Sequence, residues 1–241
     1  MGRTFENRKQ TMAKRSDRDA KAFTRAGRQI AMAVRAAGPD PEANPALRRA
    51  MQNARSVNMP KDRIQNAIEK AYGGADTTDY QPAVYEGYAP HGIAVVVDAA
   101  TDNPTRTVAN VRSAFKKGGG NLGASGSVAF MFDYFGVFRV DPEGVDREAV
   151  ELELIDHGLE DLVDGSDEDG KPQLLLRCAR DEFARLQAGL DGMGVAVVSS
   201  GFEWVPKSTT ELSDEQIDEV LKLIDRLEQD DDVQKVFHTL K

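Results

Sequence analysis

The stretch that most constrains this chain is 101–132, TDNPTRTVANVRSAFKKGGGNLGASGSVAFMF, because a helix start, a helix stop and a glycine loop follow one another in it. Asn103 can cap a helix by accepting a hydrogen bond from a free amide of the first turn. Pro104 suits the first helical position, where a missing N–H costs nothing. Val108, Val111 and Phe115 then recur at helical spacing, Lys116 and Lys117 suit the negative end of the helix dipole, and Gly118, Gly119 and Gly120 stop the run. With the apolar runs at 93–97 and 127–132 read as strands, the segment predicts a strand-helix-strand unit, a sheet packed on a helix.

Upstream, Ser16 with Asp19 predicts the start of a helix whose Phe23, Gly27, Ile30 and Val34 share a face, ending near Gly38-Pro39. A second helix is expected from Asn44-Pro45, burying Leu47, Met51, Ala54 and Val57. A third starts at Pro60 with Ile64, Ala67, Ile68 and Ala71 inward and stops at Gly73-Gly74. Residues 1–15 hold five cations against one acid with little periodicity, and read as a mobile arm that orders on nucleic acid, or as a frayed terminus.

Downstream, apolar patterning gives strand (137–140), helix (around Val150 and Leu154), strands (160–163 and 174–178), helix (Phe183, Leu186, Leu190) and strand (195–200), a split β-α-β unit. Ser213 with Gln216 forms a capping box, Ile217, Val220, Leu221, Ile224 and Leu227 an apolar face, and 233–237 a last strand. The expected class is α+β: a three-helix domain followed by two ferredoxin-like α/β sandwich domains, one inserted in the other. The boundaries are 1–75, then 76–132 plus 207–241, with 133–206 inserted.

Charge is divided along this layout. Residues 1–72 carry sixteen Lys and Arg against seven Asp and Glu, a balance of +9, and the rest carry fifteen against thirty-three, −18. A basic head on an acidic body suits local attraction to phosphate, which salt screens beyond roughly 8–10 Å.

Other chemistries find little support. The single cysteine, Cys178, lies in an apolar run and excludes an intramolecular disulfide or a cysteine zinc cluster; no apolar run approaches the roughly 18 residues of a membrane span. His91, His157 and His238 have no ligand spacing. Gly118, Gly120 and Gly123 satisfy GxGxxG, but between a helix and a strand, the reverse of the dinucleotide-binding order. The acidic run Asp164, Asp167, Glu168 and Asp169 fails the calcium-loop pattern, since aligning Gly170 with that loop's glycine puts Gly165 and Leu176 at ligand positions. The expectation is a cytoplasmic monomer with no cofactor, no metal, no membrane contact and no catalysis.

The segments YEGYAPHGIAVVVDAATDNPTRT and FKKGGGNLGASGSVAFMF resemble the signature of the YebC-type family, which includes the mitochondrial translational activator of cytochrome oxidase subunit I. FTRAGRQI, NPALRRAMQNARSVNMPKDRIQNAIEKAYGG and LEQDDDVQKVF extend the resemblance over nearly the whole chain. Two departures stand out: the chain has Gly2 to Lys9 where many relatives have a His-Ser-Lys-Trp stretch, and Thr105 where they have asparagine. The resemblance implies a nucleic-acid-binding regulator of gene expression. That leaves either a translation factor on ribosomal RNA, relieving stalling, or a DNA-binding transcriptional regulator.

A basic arm suits folded RNA, and no zipper prepares half-site DNA reading. The candidate contacts are Arg3, Arg8, Lys9, Lys14, Arg15, Lys21, Arg25 and Arg28 in the head. Lys116, Lys117 and Asn121 form a second region. A small-molecule sensor or protein adaptor is the alternative from a different class.

Overall fold

The structure is a computed structural model that describes residues 3–74, 78–167 and 169–241, with the side chains of the first helix from residue 18 onward. Three helices form the head: α1 (Arg3–Ala37), α2 (Pro45–Ser56) and α3 (Lys61–Tyr72). The first corrects the sequence reading. Residues 3–15 contain neither Pro nor Gly and are rich in Lys and Arg, so nothing stops the helix, and the backbone read as a mobile arm is helical from Arg3. Ser16 therefore lies inside the helix rather than at its start.

Asn44, almost wholly buried, fixes the corner between α1 and α2. Its Nδ2 donates to the carbonyls of Ala33 (2.7 Å) and Gly38 (2.8 Å) while its Oδ1 accepts from Leu47 N–H (3.0 Å), so one side chain closes one helix and caps the next. Ile30, Val34, Leu47, Ala54, Ile64 and Ile68 make the core of the head; Val57, expected inside, is exposed at the end of α2.

The first sheet has the order β3-β1-β2-β8, with β1 (Gln81–Tyr88), β2 (Ala94–Thr101), β3 (Asn121–Leu122) and β8 (Val233–His238), antiparallel throughout. This is the strand order of a ferredoxin-like sheet with one strand moved to the front of the chain. Two helices cover one face: α4 (Pro104–Lys117), capped by Asn103, and α7 (Asp214–Glu228), begun by the Ser213–Gln216 capping box. Val95, Val97, Phe115, Leu223 and Leu227 are fully buried between them and the sheet.

The strand expected at 127–132 is not formed there. Residues 129–131 make a single 3-10 turn, and the strand starting at Phe132 joins the other sheet. The cause is Glu86 on β1. Its carboxylate accepts from the amides of Gly126 (2.6 Å), Val128 (2.8 Å) and Ala129 (2.8 Å), which satisfies those N–H groups in place of a ladder.

The second sheet, β5-β6-β4-β7, comprises β4 (Phe132–Val140), β5 (Leu159–Ser166), β6 (Pro172–Cys178) and β7 (Val197–Pro206), with α5 (Arg147–Ile155) and α6 (Phe183–Gly192) on one face. Strands β4 and β7 run past their expected ends and pair from Phe132↔Pro206 to Val140↔Val197. The extension carries Trp204, which packs with Phe132 on Ala94 and Val96, the face of the first sheet that α4 and α7 leave bare. Trp204 Nε1 donates to Asp98 (3.0 Å), and Glu203 beside it takes both Arg139 and Lys235.

Candidate nucleic-acid interface

The cations of the head separate into two groups. Arg25 Nε donates to the carbonyl of Val233 (3.0 Å) and its Nη2 to that of Glu228 (2.9 Å); Arg28 Nη1 donates to the carbonyl of Ala100 (2.9 Å) and to Asp232 (2.7 Å). Both predicted contacts thus face the first sheet and tie α1 to it. Arg49 sits over Phe183 and Phe202, its ring-centroid distances 5.2 and 5.6 Å, and burial lowers its pKa. Beside it, Gln52 donates to the carbonyl of Val197, and Asn53 exchanges two hydrogen bonds with the backbone of Ser200.

The outward group is different. Arg48, Arg55, Lys61, Arg63 and Lys70 are exposed on α2 and α3, and the predicted Lys21 is half-buried on α1. Arg48 donates to the carbonyl of Pro41 (2.9 Å) and Arg63 stacks over Phe23, which hold their guanidinium groups in place. The predicted Arg3, Arg8, Lys9, Lys14 and Arg15 lie on the helical backbone of α1, and their side chains fall outside the described residues. Lys116, Lys117 and Asn121, the second predicted region, are all exposed at the end of α4 and the start of β3. They lie on the first sheet's unit, apart in sequence and fold from α2 and α3.

Helical geometry limits how the head can meet a duplex. Asp62, Asn66 and Glu69, spaced i, i+4, i+7 and all exposed, form the outermost ridge of α3. A ridge with two carboxylates is a poor probe for a groove walled by phosphates, and α2 is held against β7 by Gln52 and Asn53. Cations flank the ridge rather than crown it.

The glycines of the loop after α4 serve positive φ and close backbone approach. Gly119 has φ +77°, while a Cβ on Gly120 would come 2.4 Å from the Tyr88 carbonyl oxygen and one on Gly118 2.6 Å from Leu223. Glu86 accounts for the amides further along. Burial alone would raise its pKa, but the hydrogen bonds from Gly126, Val128 and Ala129 outweigh that and lower it, so a fixed carboxylate already fills this nest of N–H groups.

Two models, described as the TACO1/YebC protein N-terminal domain and the TACO1/YebC second and third domain, match residues 3–74 and 80–240. The chain belongs to the TACO1/YebC family.

Proteins named "Probable transcriptional regulatory protein" from Anaeromyxobacter dehalogenans and Myxococcus xanthus are 55% and 54% identical over 240 residues, the alignments covering 100% of both chains. One of that name from Flavobacterium johnsoniae is 48% identical over 241 residues, 100% of this chain and 99% of the other. The crystal structure of the conserved hypothetical protein Aq1575 from Aquifex aeolicus superimposes with a TM-score of 0.79 at 37% identity, covering 92% of this chain and 90% of that one.

In this TACO1/YebC chain, sequence reasoning missed the residue that joins its parts, Asp232. Its carboxylate takes Arg28, Arg106 (2.8 Å), Thr107 (2.6 Å) and Thr101 (3.2 Å), one donor from the head and three from the first sheet's unit. Burial works to raise the pKa of Asp232, yet the bonds from Arg106, Thr107 and Arg28 hold it at about 2. The run Asp230-Asp231-Asp232 hid it, since sequence does not tell which of three acids turns inward. Among the described residues, no group of His, Cys, Asp and Glu is arranged to hold a metal, and no helix is long and apolar enough to cross a membrane. An open hollow of about 380 Å³ is rimmed by Asp141, Glu143 and Asp146, a lining that repels phosphate.

Proposed function

We propose that this chain is a non-enzymatic, nucleic-acid-binding regulator of gene expression that works in translation, on folded ribosomal RNA, and relieves stalling there. The observation that carries the reading is the division of the head's cations: Arg25, Arg28 and Arg49 anchor it to the body, while Arg48, Arg55, Lys61, Arg63 and Lys70 stay outward around an acidic ridge. Such a surface suits a curved or irregular backbone contacted from the sides, as in folded RNA, better than insertion into a major groove. In this reading residues 1–75 bind the nucleic acid, 76–132 with 207–241 carry the second contact region, and the inserted 133–206 unit positions the head. The protein acts in the cytoplasm as a monomer.

The relatives' printed names point instead to transcription, which makes promoter DNA the competing target. Ultraviolet crosslinking in the protein's own cells, with sequencing of the attached RNA and DNA, separates the two. Dominant crosslinks to one region of large-subunit ribosomal RNA are expected; reproducible promoter peaks without ribosomal RNA would overturn the translational reading.

A further inference from the structure

Phe130 is the most exposed large apolar side chain of the first sheet's surroundings, 67% exposed, and it is displayed by design of the local backbone. Val128 on one side and Phe132 on the other are buried among Ala94 and Val96, and the Glu86 carboxylate holds the amides of Val128 and Ala129. Anchored on both sides, the turn cannot fold the Phe130 ring under. Tyr88, at the end of β1 and 37% exposed, is tied to the same segment, its hydroxyl donating to the carbonyl of Ser127 (3.4 Å). Phe130 therefore stands on a rigid turn and Tyr88 at the end of β1, whose Ser127 contact ties it to that segment, on the side of the sheet away from α4 and α7.

The surroundings suit a polyanion with unpaired bases. Asn121 is the cross-strand partner of Tyr88 and offers an exposed amide, which can donate to and accept from a base edge. Lys207 is joined to the turn by its backbone N–H, which donates to Met131 (3.0 Å), and its ammonium is shared with Asp133 (3.3 Å). Lys116 and Lys117 end the helix that leads into Asn121. Between them the loop residues Gly123, Ala124, Ser125 and Gly126 are all exposed and small, so a strand can approach the backbone closely.

Exposed aromatic planes interleaved with cations and an amide are how proteins hold splayed bases: the rings stack, the cations meet the phosphates, and the amide reads an edge. We propose that the 121–131 loop, together with the end of β1, is a stacking platform for unpaired bases of RNA, with Phe130 and Tyr88 as its planes. This rests on the RNA reading above and refines it, assigning duplex and backbone contact to the head and single-stranded contact to the loop.

The test uses the full chain and two fluorescein-labelled probes, a single-stranded RNA of mixed sequence and a hairpin with the same bases paired. Phe130→Ala is expected to weaken single-strand binding about tenfold with an unchanged salt slope, Phe130→Leu to behave like it because the plane is lost, and both to bind the hairpin normally. Crosslinked nucleotides should map to the peptides holding Tyr88 or Phe130. The ring is exposed, so melting temperatures should match wild type.

Single-strand affinity within twofold of wild type in both variants, with no adduct on these peptides, overturns the platform. If Lys61→Ala with Lys70→Ala still weakens binding in that case, the RNA reading stands without it. A wild-type chain that binds neither probe overturns both. Variants that bind naked RNA normally but lose ribosome association also overturn the platform, and give the surface to a protein.

Discussion

Arg28 Nη1 lies 2.7 Å from Asp232 Oδ1, a contact that joins residues 204 positions apart and fastens the head to the first sheet. The Asp232 side chain is 4% exposed and that of Arg28 13%, so the pair is shielded from water. Removing one partner of such a pair strands the other's charge, which costs about 3–5 kcal/mol. Asp232→Ala should destabilise the full chain by that amount in urea denaturation. Asp232→Asn, which still accepts from Thr107, should cost less.

Acid should loosen the same junction. A carboxylate whose pKa is lower in the folded chain stabilises the fold in full above its unfolded value, and that contribution disappears as pH falls through the folded value. Asp232 and Glu203 are both held at about 2, Glu203 because Lys235 and Arg139 outweigh its burial. Starting from ordinary carboxylate values of about 4, the window runs from about pH 4.5 down to 2, and each group loses roughly 2–3 kcal/mol across it. Denaturation midpoints should therefore fall steeply over that range, and Asp232→Asn should flatten the fall.

The two groups of head cations should respond differently to substitution. Lys61→Ala with Lys70→Ala is expected to leave stability within about 0.5 kcal/mol and to reduce the salt slope of RNA binding by about 0.7 per lost phosphate contact. Arg25→Ala should lower the denaturation midpoint, since the carbonyls of Glu228 and Val233 lose their donor, while the salt slope stays the same. A slope that drops in Arg25→Ala would place that guanidinium on the nucleic acid after all.

Gly120 tests the loop. A Cβ there would meet the Tyr88 carbonyl oxygen at 2.4 Å and Ala89 Cα at 3.2 Å, both backbone atoms that cannot step aside. Gly120→Ala is expected to cost about 1–3 kcal/mol, as overpacking does. A Cβ on Gly201 meets nothing within 4 Å, so Gly201→Ala is the control and should melt near wild type.

Cys178 is fully buried, and burial, followed by Glu160, Glu182 and Asp181, pushes its thiol up to about 12. Since the thiolate is the reactive form, the folded chain should resist a thiol reagent at pH 8 and react stoichiometrically in denaturant. Fast labelling of native protein would show that β6 opens at this position.

Much of the architecture can be read from local signals. The caps at Asn44, Asn103 and Ser213, the stops at Gly73 and Gly118, and the apolar periodicities of α2, α3, α4 and α7 depend on residues within a turn or two, and the helices begin and end where those signals stand. Charge segregation between head and body is likewise a property of the sequence. The local signals failed where a distant group competed. Glu86 took the amides of Gly126, Val128 and Ala129 and prevented a strand, and at α1 a plausible cap was overridden because thirteen helix-permitting residues preceded it.

The roles of the cations were the least legible, because a guanidinium on a helix has the same sequence signature whether it meets solvent or a carboxylate 204 residues away. Only the packed chain decided that Arg25 and Arg28 turn inward, that Arg49 lies on Phe183 and Phe202, and that the third of three consecutive aspartates holds the junction. Sequence by itself determined the elements and where charge is available; tertiary structure decided which charges are neutralised within the fold, since ion pairing depends on distance in space and not along the chain.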